Sequence, residues 1–240
     1  MAGGEKKNSD LGVRAASAMV MVAVAGTALW LGGWLWTIFA LAIAAGVLFE
    51  WSQLVRGFEQ RPVLRAIWLL GGLFYVGLAV FVLIQMRLGA FGMSRSLLLI
   101  LTVIAIDVGA YFTGRTFGGP KIAPAISPSK TWSGLFGGML GAALVLAGYI
   151  YWFMCYDPAY GHCGLPGLAD LRPALLGGAA LAVVAQSGDF FESRMKRRAG
   201  VKDSGKLIPG HGGLFDRVDG LLAVSFVLGL LSLHSFILPE

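Results

Sequence analysis

Seven long apolar stretches divide the chain, at roughly 12–31, 33–54, 64–86, 96–114, 133–154, 172–192 and 215–237, with short polar or glycine-rich breaks between them. A helix needs about 20 mostly apolar residues to cross the hydrocarbon of a bilayer, so the pattern predicts membrane helices. Leu31-Gly32-Gly33-Trp34 marks a tight turn between the first two. The N-terminal MAGGEKKNSD is polar, and the apolar stretch after Arg14 runs to about Leu31. That is long for the core of a secretory signal, and no A-x-A site followed by a polar start is evident. The stretch is therefore read as a retained span. No long internal repeat and no low-complexity linker interrupt the series. The expected architecture is all-α: a polytopic transmembrane helical bundle of about seven spans. A four-span region covers 1–114 and a three-span region with cytoplasmic loops covers 115–240, together forming one integral membrane domain.

Composition strengthens this reading. Of 240 residues, 57% are hydrophobic and 13% charged, where a soluble chain carries about 25% charged residues. Too little polar surface remains to cover such a core in water. The formal net charge of +6 would suggest nucleic acid in a soluble protein. Here the excess of Lys and Arg in cytoplasmic loops explains it, and no nucleic-acid partner is expected. With the N-terminus inside, sixteen of the 19 Lys and Arg fall on inside segments. Only Arg87, Arg95 and Arg172 fall outside. The split predicts an N-in, C-out chain. Cys155 and Cys163 share the outside loop 155–171. An oxidising compartment permits a disulfide there; two unpaired thiols fit equally, because closeness in sequence does not fix the geometry.

Charges within spans are costly and mark functional candidates. Asp107 lies midway along the fourth stretch, where a helix–helix hydrogen bond is the simpler alternative. Asp189 and Glu192 close the sixth, and Asp216 and Asp219 open the seventh. Glu50 ends the second beside Trp51, where an interfacial cap is the simpler reading. Asp216 and Asp219 are three apart and share a helix face; Asp189, Ser193 and Arg197 form another row. Mg2+ takes oxygen ligands, commonly one or two carboxylates plus substrate phosphates. Carboxylates at two adjacent span ends suit it, although a salt-bridge network would use the same residues. Between them, six Lys and Arg lie within 194–206, followed by Pro209-Gly210-His211-Gly212-Gly213. Such a turn lets backbone approach a ligand closely. Acids and bases interleaved in one short segment suit a metal–polyphosphate complex.

The segment resembles the signature of the phosphatidate cytidylyltransferase (CDP-diacylglycerol synthase) family: Ser-x-hydrophobic-Lys-Arg, four residues, Lys-Asp-x-small, then His-Gly-Gly-x-x-Asp-Arg-x-Asp. The matching positions are Ser193, Lys196, Arg197, Lys202, Asp203, Gly205, His211, Gly212, Gly213, Asp216, Arg217 and Asp219. Gly188-Asp189-x-x-Glu192-Ser193, Asp107-Val-Gly-Ala-Tyr111 with Gly114-Arg115, and Ser127-Pro-Ser-Lys130-Thr-Trp-Ser-Gly134 resemble further family segments. Ser133 stands where the family commonly has Glu, Gly220 where it has a small hydroxyl residue, and Phe215 where it has an aliphatic one. The resemblance covers most of 100–220.

The resemblance implies an enzyme that joins CTP to phosphatidate, giving CDP-diacylglycerol and pyrophosphate, in a bacterial inner membrane with its site facing the cytoplasm. It implies Mg2+, in a centre that admits a second cation such as K+. Asp189 and Asp216 are the expected metal ligands. Lys196, Arg197, Lys202, Asp203, His211, Arg217 and Asp219 are the expected catalytic set. Asp107, Ser127, Lys130, Ser193 and Lys206 are expected to meet substrate. The pairs Gly134/Gly138 and Gly137/Gly141 permit close helix packing, within one protomer or across a homodimer.

Three alternatives use similar parts. A lipid kinase related by fold would lack the long Lys-Asp…His-Gly-Gly…Asp-Arg-x-Asp segment. A CDP-alcohol phosphotransferase would need Asp-Gly-x-x-Ala-Arg, but Asp219-Gly220 continues Leu-Leu-Ala-Val. A transporter would commonly show related halves and broken helices, and neither is evident.

Overall fold

A computed structural model of the chain describes residues 2–156 and 166–237. Among these, seven α-helices and one β-hairpin form in the order α1 (Ala2–Leu31), α2 (Gly33–Phe58), α3 (Pro62–Met86), α4 (Gly92–Phe117), β1 (Lys121–Ala123), β2 (Ser127–Thr131), α5 (Trp132–Tyr156), α6 (Leu168–Arg198) and α7 (Phe215–Ile237). Six of them, from Gly12–Leu31 of α1 through α6, are long and apolar enough to cross a membrane. α7 is the seventh expected span and is not among the six found over the described residues. Large apolar side chains such as Val22, Trp30, Leu70, Phe112, Phe136 and Leu176 are exposed, as lipid-facing residues of an integral membrane protein are. Cys163 lies outside the described residues, so its pairing with Cys155 does too.

Two features differ from the expected pattern. The hairpin of β1 and β2, paired antiparallel with Lys121 opposite Thr131 and Ala123 opposite Ser127, occupies what reads as a plain loop. And α6 continues past the apolar stretch through Lys196, Arg197 and Arg198. Basic side chains favour a helix C-terminus, where the carbonyl ends carry partial negative charge. The helix stops at Gly200, whose φ of 69° is the left-handed conformation that terminates helices. The Val201 N–H donates back to the Lys196 carbonyl at 3.0 Å.

The chain divides into two compact units, Met1–Met93 with Phe191–Glu240, and Ser94–Phe190. In the first, α2 presents Ala40, Ala44, Val47, Trp51, Leu54 and Val55 to the core. These recur at the three- and four-residue spacing of one helix face. They meet Val76 and Ala79 of α3, Met195 of α6, and Phe215 and Leu222 of α7. Trp51, 2% exposed, has the rings of Tyr75, Phe191 and Phe215 around it at centroid distances of 5.6–6.0 Å. Its Nε1 donates to the Trp68 carbonyl at 3.0 Å. Arg87 donates to the carbonyls of Leu29 (2.9 Å) and Trp30 (3.2 Å), closing the C-terminal end of α1.

In the second unit a glycine seam joins α5 to α4. A Cβ at Gly134 would stand 3.1 Å from the Ala110 carbonyl, and one at Gly138 3.1 Å from that of Ile106. At Gly137 it would collide with Thr113 and at Gly141 with Ala105. Backbones this close need residues without side chains. The small-residue pairs thus pack within one protomer. Thr131 caps α5, its Oγ1 accepting from the Gly134 N–H at 3.1 Å.

Candidate active site

The first unit gathers its polar groups where α7 begins. A helix N-terminus leaves backbone N–H groups without intrahelical partners. Here they are met by a carboxylate from another helix. Glu50 of α2, 0% exposed, accepts from the N–H of Leu214 (2.9 Å) on Oε1 and of Phe215 (2.8 Å) on Oε2. Its negative charge also lies at the positive end of the α7 dipole. The Ser204 hydroxyl stands 2.9 Å from both Glu50 Oε2 and Asp216 Oδ2, so one proton serves two acceptors.

Asp216 Oδ2 further accepts from the N–H groups of Ser204 (2.8 Å) and Gly213 (3.1 Å). These bonds explain two loop glycines. A Cβ at Gly213 would stand 2.8 Å from Asp216 Oδ2, and one at Gly205 2.6 Å from the Glu50 carboxyl carbon. The loop can close on its carboxylates only where side chains are missing. Between Ile208 and Gly212 a short antiparallel bridge ties off the Pro209-Gly210-His211 turn, with φ of 75° at Gly210 and 83° at Gly212.

Lys196 lies between two carboxylates. Its Nζ donates to Glu192 Oε2 at 2.8 Å, one helical turn away, and pairs with Asp216. Glu192 is 1% exposed, and its other oxygen, Oε1, is buried with no hydrogen-bond partner. An orphaned carboxylate oxygen at such depth is costly and fits a cation. Carboxylate oxygens of Glu192 and Asp219 lie within 4.8 Å of each other. This is a donor set that a hard, oxygen-seeking cation would accept.

Beyond the turn, a pocket of about 390 Å3 is lined by Arg14 of α1 together with Lys202, Asp203, Gly210, His211, Gly212 and Arg217. Arg217 donates to the His211 carbonyl through Nη2 (2.7 Å) and Nε (3.2 Å), which fixes its fork. Ser17 Oγ stands 2.8 Å from His211 Nδ1. A second hollow, of about 740 Å3, runs along Glu50, Gln53, Lys202, Ser204 and Lys206.

The second unit holds Lys130, Asp189, Asp107 and Ser127. Lys130, on β2, forms an ion pair with Asp189. Both charges act on the Asp107 carboxyl. Ser127 begins β2 and is buried. Ser193 is also buried, in the first unit, while Arg197 is exposed on the last turn of α6.

The structure therefore brings together Lys196, Asp216 and Glu192, sets Glu192 against Asp219, and groups Lys202, Asp203, His211 and Arg217 around one pocket. Glu192 was legible as a buried charge but stood outside the expected ligand set; its spacing of three from Asp189 and four from Lys196 was the available signal. Glu50 serves a longer-range purpose than an interfacial cap. Ser204, Arg14 and Ser17 carry no local signal at all.

Comparison with known proteins identifies the family. The cytidylyltransferase family model matches residues 58–234. A phosphatidate cytidylyltransferase of Brucella suis biovar 1 (strain 1330) is 35% identical over 264 residues, covering 92% of this chain and 93% of that protein. One from Rickettsia bellii (strain RML369-C) is 33% identical over 225 residues, covering 93% and 91%. One from Thermotoga maritima is 42% identical over 135 residues, covering 56% of this chain and 47% of that protein. The chain belongs to the cytidylyltransferase family.

Proposed function

We propose that this membrane enzyme transfers the cytidylyl group of CTP to phosphatidate, releasing pyrophosphate. A phosphate oxygen of the lipid attacks the α-phosphorus of CTP. The bond from that phosphorus to the bridging oxygen breaks, and pyrophosphate leaves with the electron pair. The nucleophile is already an anion, so no strong general base is needed. The barrier lies in charge repulsion and alignment.

The observation that carries this reading is the opening of α7. Within four residues it supplies Asp216 to the Lys196 ion pair, Arg217 to the basic pocket and Asp219 to the carboxylate pair with Glu192. Glu192 and Asp219 would hold Mg2+; Asp189, the other ligand that the resemblance implies, pairs with Lys130 in the second unit. Bound there, a divalent cation neutralises phosphate oxygens and offsets their mutual repulsion. Asp216, expected from sequence as a ligand, is here the residue that orients Lys196 and the loop. Lys202, Arg217 and the His211 turn bind phosphate. Lys130, Asp107 and Ser127 form a second polar group for substrate, and Lys206 borders the larger hollow.

The charge distribution supports a site in the cytoplasm, where CTP is made, with the chain N-in and C-out. The bacterial relatives support an inner membrane. The deciding experiment uses purified protein in mixed micelles with phosphatidate and radiolabelled CTP. Label entering lipid only with a divalent cation is the expected result. Binding of CTP without lipid product would refute the reading.

A further inference from the structure

The family match begins at residue 58, yet the basic pocket has a wall from far upstream. Arg14 of α1 lines it. The arginine stem lies along the glycine turn, where a Cβ at Gly210 would stand 3.0 Å from Arg14 Cγ. One helical turn on, Ser17 is hydrogen-bonded to His211 Nδ1 at 2.8 Å, across 194 residues of sequence. So α1 is fastened to the turn by one residue and offers it a guanidinium by another.

Three cations, Arg14, Lys202 and Arg217, surround this pocket with a single carboxylate, Asp203. Among the described residues, neither Arg14 nor Lys202 has an ion pair within 4.0 Å. Three cations against one carboxylate among the described lining residues fit a multiply charged anion, and a guanidinium fork matches two phosphate oxygens at once. The first unit also has a hollow of the opposite character, lined by Trp51, Ile67, Trp68, Gly71, Tyr75 and Phe191. A lipid suits that apolar lining; the polar pocket suits a soluble anion.

We propose that Arg14 is a binding residue for the triphosphate of the nucleotide, contacting the β- and γ-phosphates that leave as pyrophosphate. The proposal rests on the cytidylyl-transfer reading above. Negative charge grows on the leaving pyrophosphate as the bond to the α-phosphorus breaks. Cations fixed around that group stabilise it without having to move. Ser17 is a positioning residue, acting through the His211 ring on the turn that faces Arg14.

The test uses the full chain in mixed micelles, with Arg14→Gln, Arg14→Lys and Ser17→Ala. Two quantities are read: KM for CTP and for phosphatidate, each at saturating partner, and the affinity of Mg2+-pyrophosphate by calorimetry. Arg14→Gln is expected to raise KM for CTP at least about tenfold, as loss of one charge-assisted contact implies. It should weaken pyrophosphate by a similar factor and leave KM for phosphatidate within about twofold. Arg14→Lys should fall between, and Ser17→Ala should shift the same constants less. Unchanged pyrophosphate affinity in Arg14→Gln, or a rise confined to phosphatidate, would overturn the proposal. If Arg14→Gln does not fold, the Lys variant decides by the same two constants. Wild-type protein that binds pyrophosphate through Arg14 yet makes no lipid product would sink the functional reading and leave the pocket standing.

Discussion

The two units answer the same demand from the membrane in opposite ways. Both must satisfy polar backbone away from water and bring helices close. The Ser94–Phe190 unit does so by subtraction: glycines at 134, 137, 138 and 141 let α5 lie against the backbone of α4. The unit containing α2, α3 and α7 does so by adding charge. Glu50, Glu192, Lys196 and Asp216 are drawn into one junction whose hydrogen bonds hold a helix start and a loop. Glycine appears in both, for different reasons. In the seam it admits another helix; in the loop, at Gly205 and Gly213, it admits a carboxylate. Buried charge is retained where it has work beyond packing, and its partners show which work. Glu50 is saturated with donors and is architectural. Glu192, with one oxygen unpartnered, is available to a ligand.

The largest expected effect follows from that distinction. Glu192→Gln and Asp219→Asn should each lower cytidylyl transfer by at least about two orders of magnitude, the scale of losing a key electrostatic contact. Both should insert and fold, and both should need more Mg2+ for half-maximal rate. Asp216→Asn should lose activity too, but together with thermal stability and without recovery at high Mg2+. If all three respond alike to Mg2+, the division between ligand and architecture is wrong.

Next in size is Glu50→Gln. An amide keeps the shape but turns one acceptor into a donor facing an N–H of Leu214 or Phe215 or the Ser204 hydroxyl. A buried mismatch of this kind costs about 1–3 kcal/mol. Thermal unfolding in detergent should shift down accordingly, while KM for CTP in the surviving fold stays near wild type. A stable Gln variant with a large rise in KM would move Glu50 into the binding machinery.

These expectations also show what was legible beforehand. The spans follow from length and hydropathy, because a bilayer imposes both. The 193–219 segment was legible because its polar residues are close in sequence and regular in spacing. The hairpin was not: Ser127-Pro-Ser-Lys-Thr has neither alternation nor an apolar face, and its strands are short. Nor was the bond from Glu50 to α7, which spans 165 residues. A hydrogen bond of that range leaves no periodicity. The end of α6 was misplaced because charge reads as loop, whereas basic residues suit a helix C-terminus.

A third test compares glycines on one helix. Gly137→Ala would drive a methyl into Thr113 and the Gly109 carbonyl, whereas at Gly148 nothing lies within 4 Å. The first should destabilise by about 1–3 kcal/mol, as overpacking does; the second should be neutral or slightly stabilising, since alanine favours helix. Equal tolerance at both positions, measured by thermal unfolding, would mean that the seam is not close-packed.

The smallest effect concerns the polar groups of the seam itself. Thr113 Oγ1 stands 2.8 Å from the Gly109 carbonyl and 3.0 Å from that of Ser133, so its one proton links α4 to the start of α5. Thr113→Val keeps the branched shape and removes the donor. The Gly109 carbonyl retains its intrahelical bond, and only the Ser133 carbonyl loses a partner across the seam. The loss should be about 1 kcal/mol, the net value of one ordinary hydrogen bond. Valine also fills the space that threonine filled, so the glycine contacts stay intact. Turnover should therefore follow the folded fraction alone, with both KM values unchanged. Should Thr113→Val remain fully stable yet lose transfer a hundredfold, Thr113 itself would serve the reaction, and its reading as a residue that only ties α4 to α5 would fail.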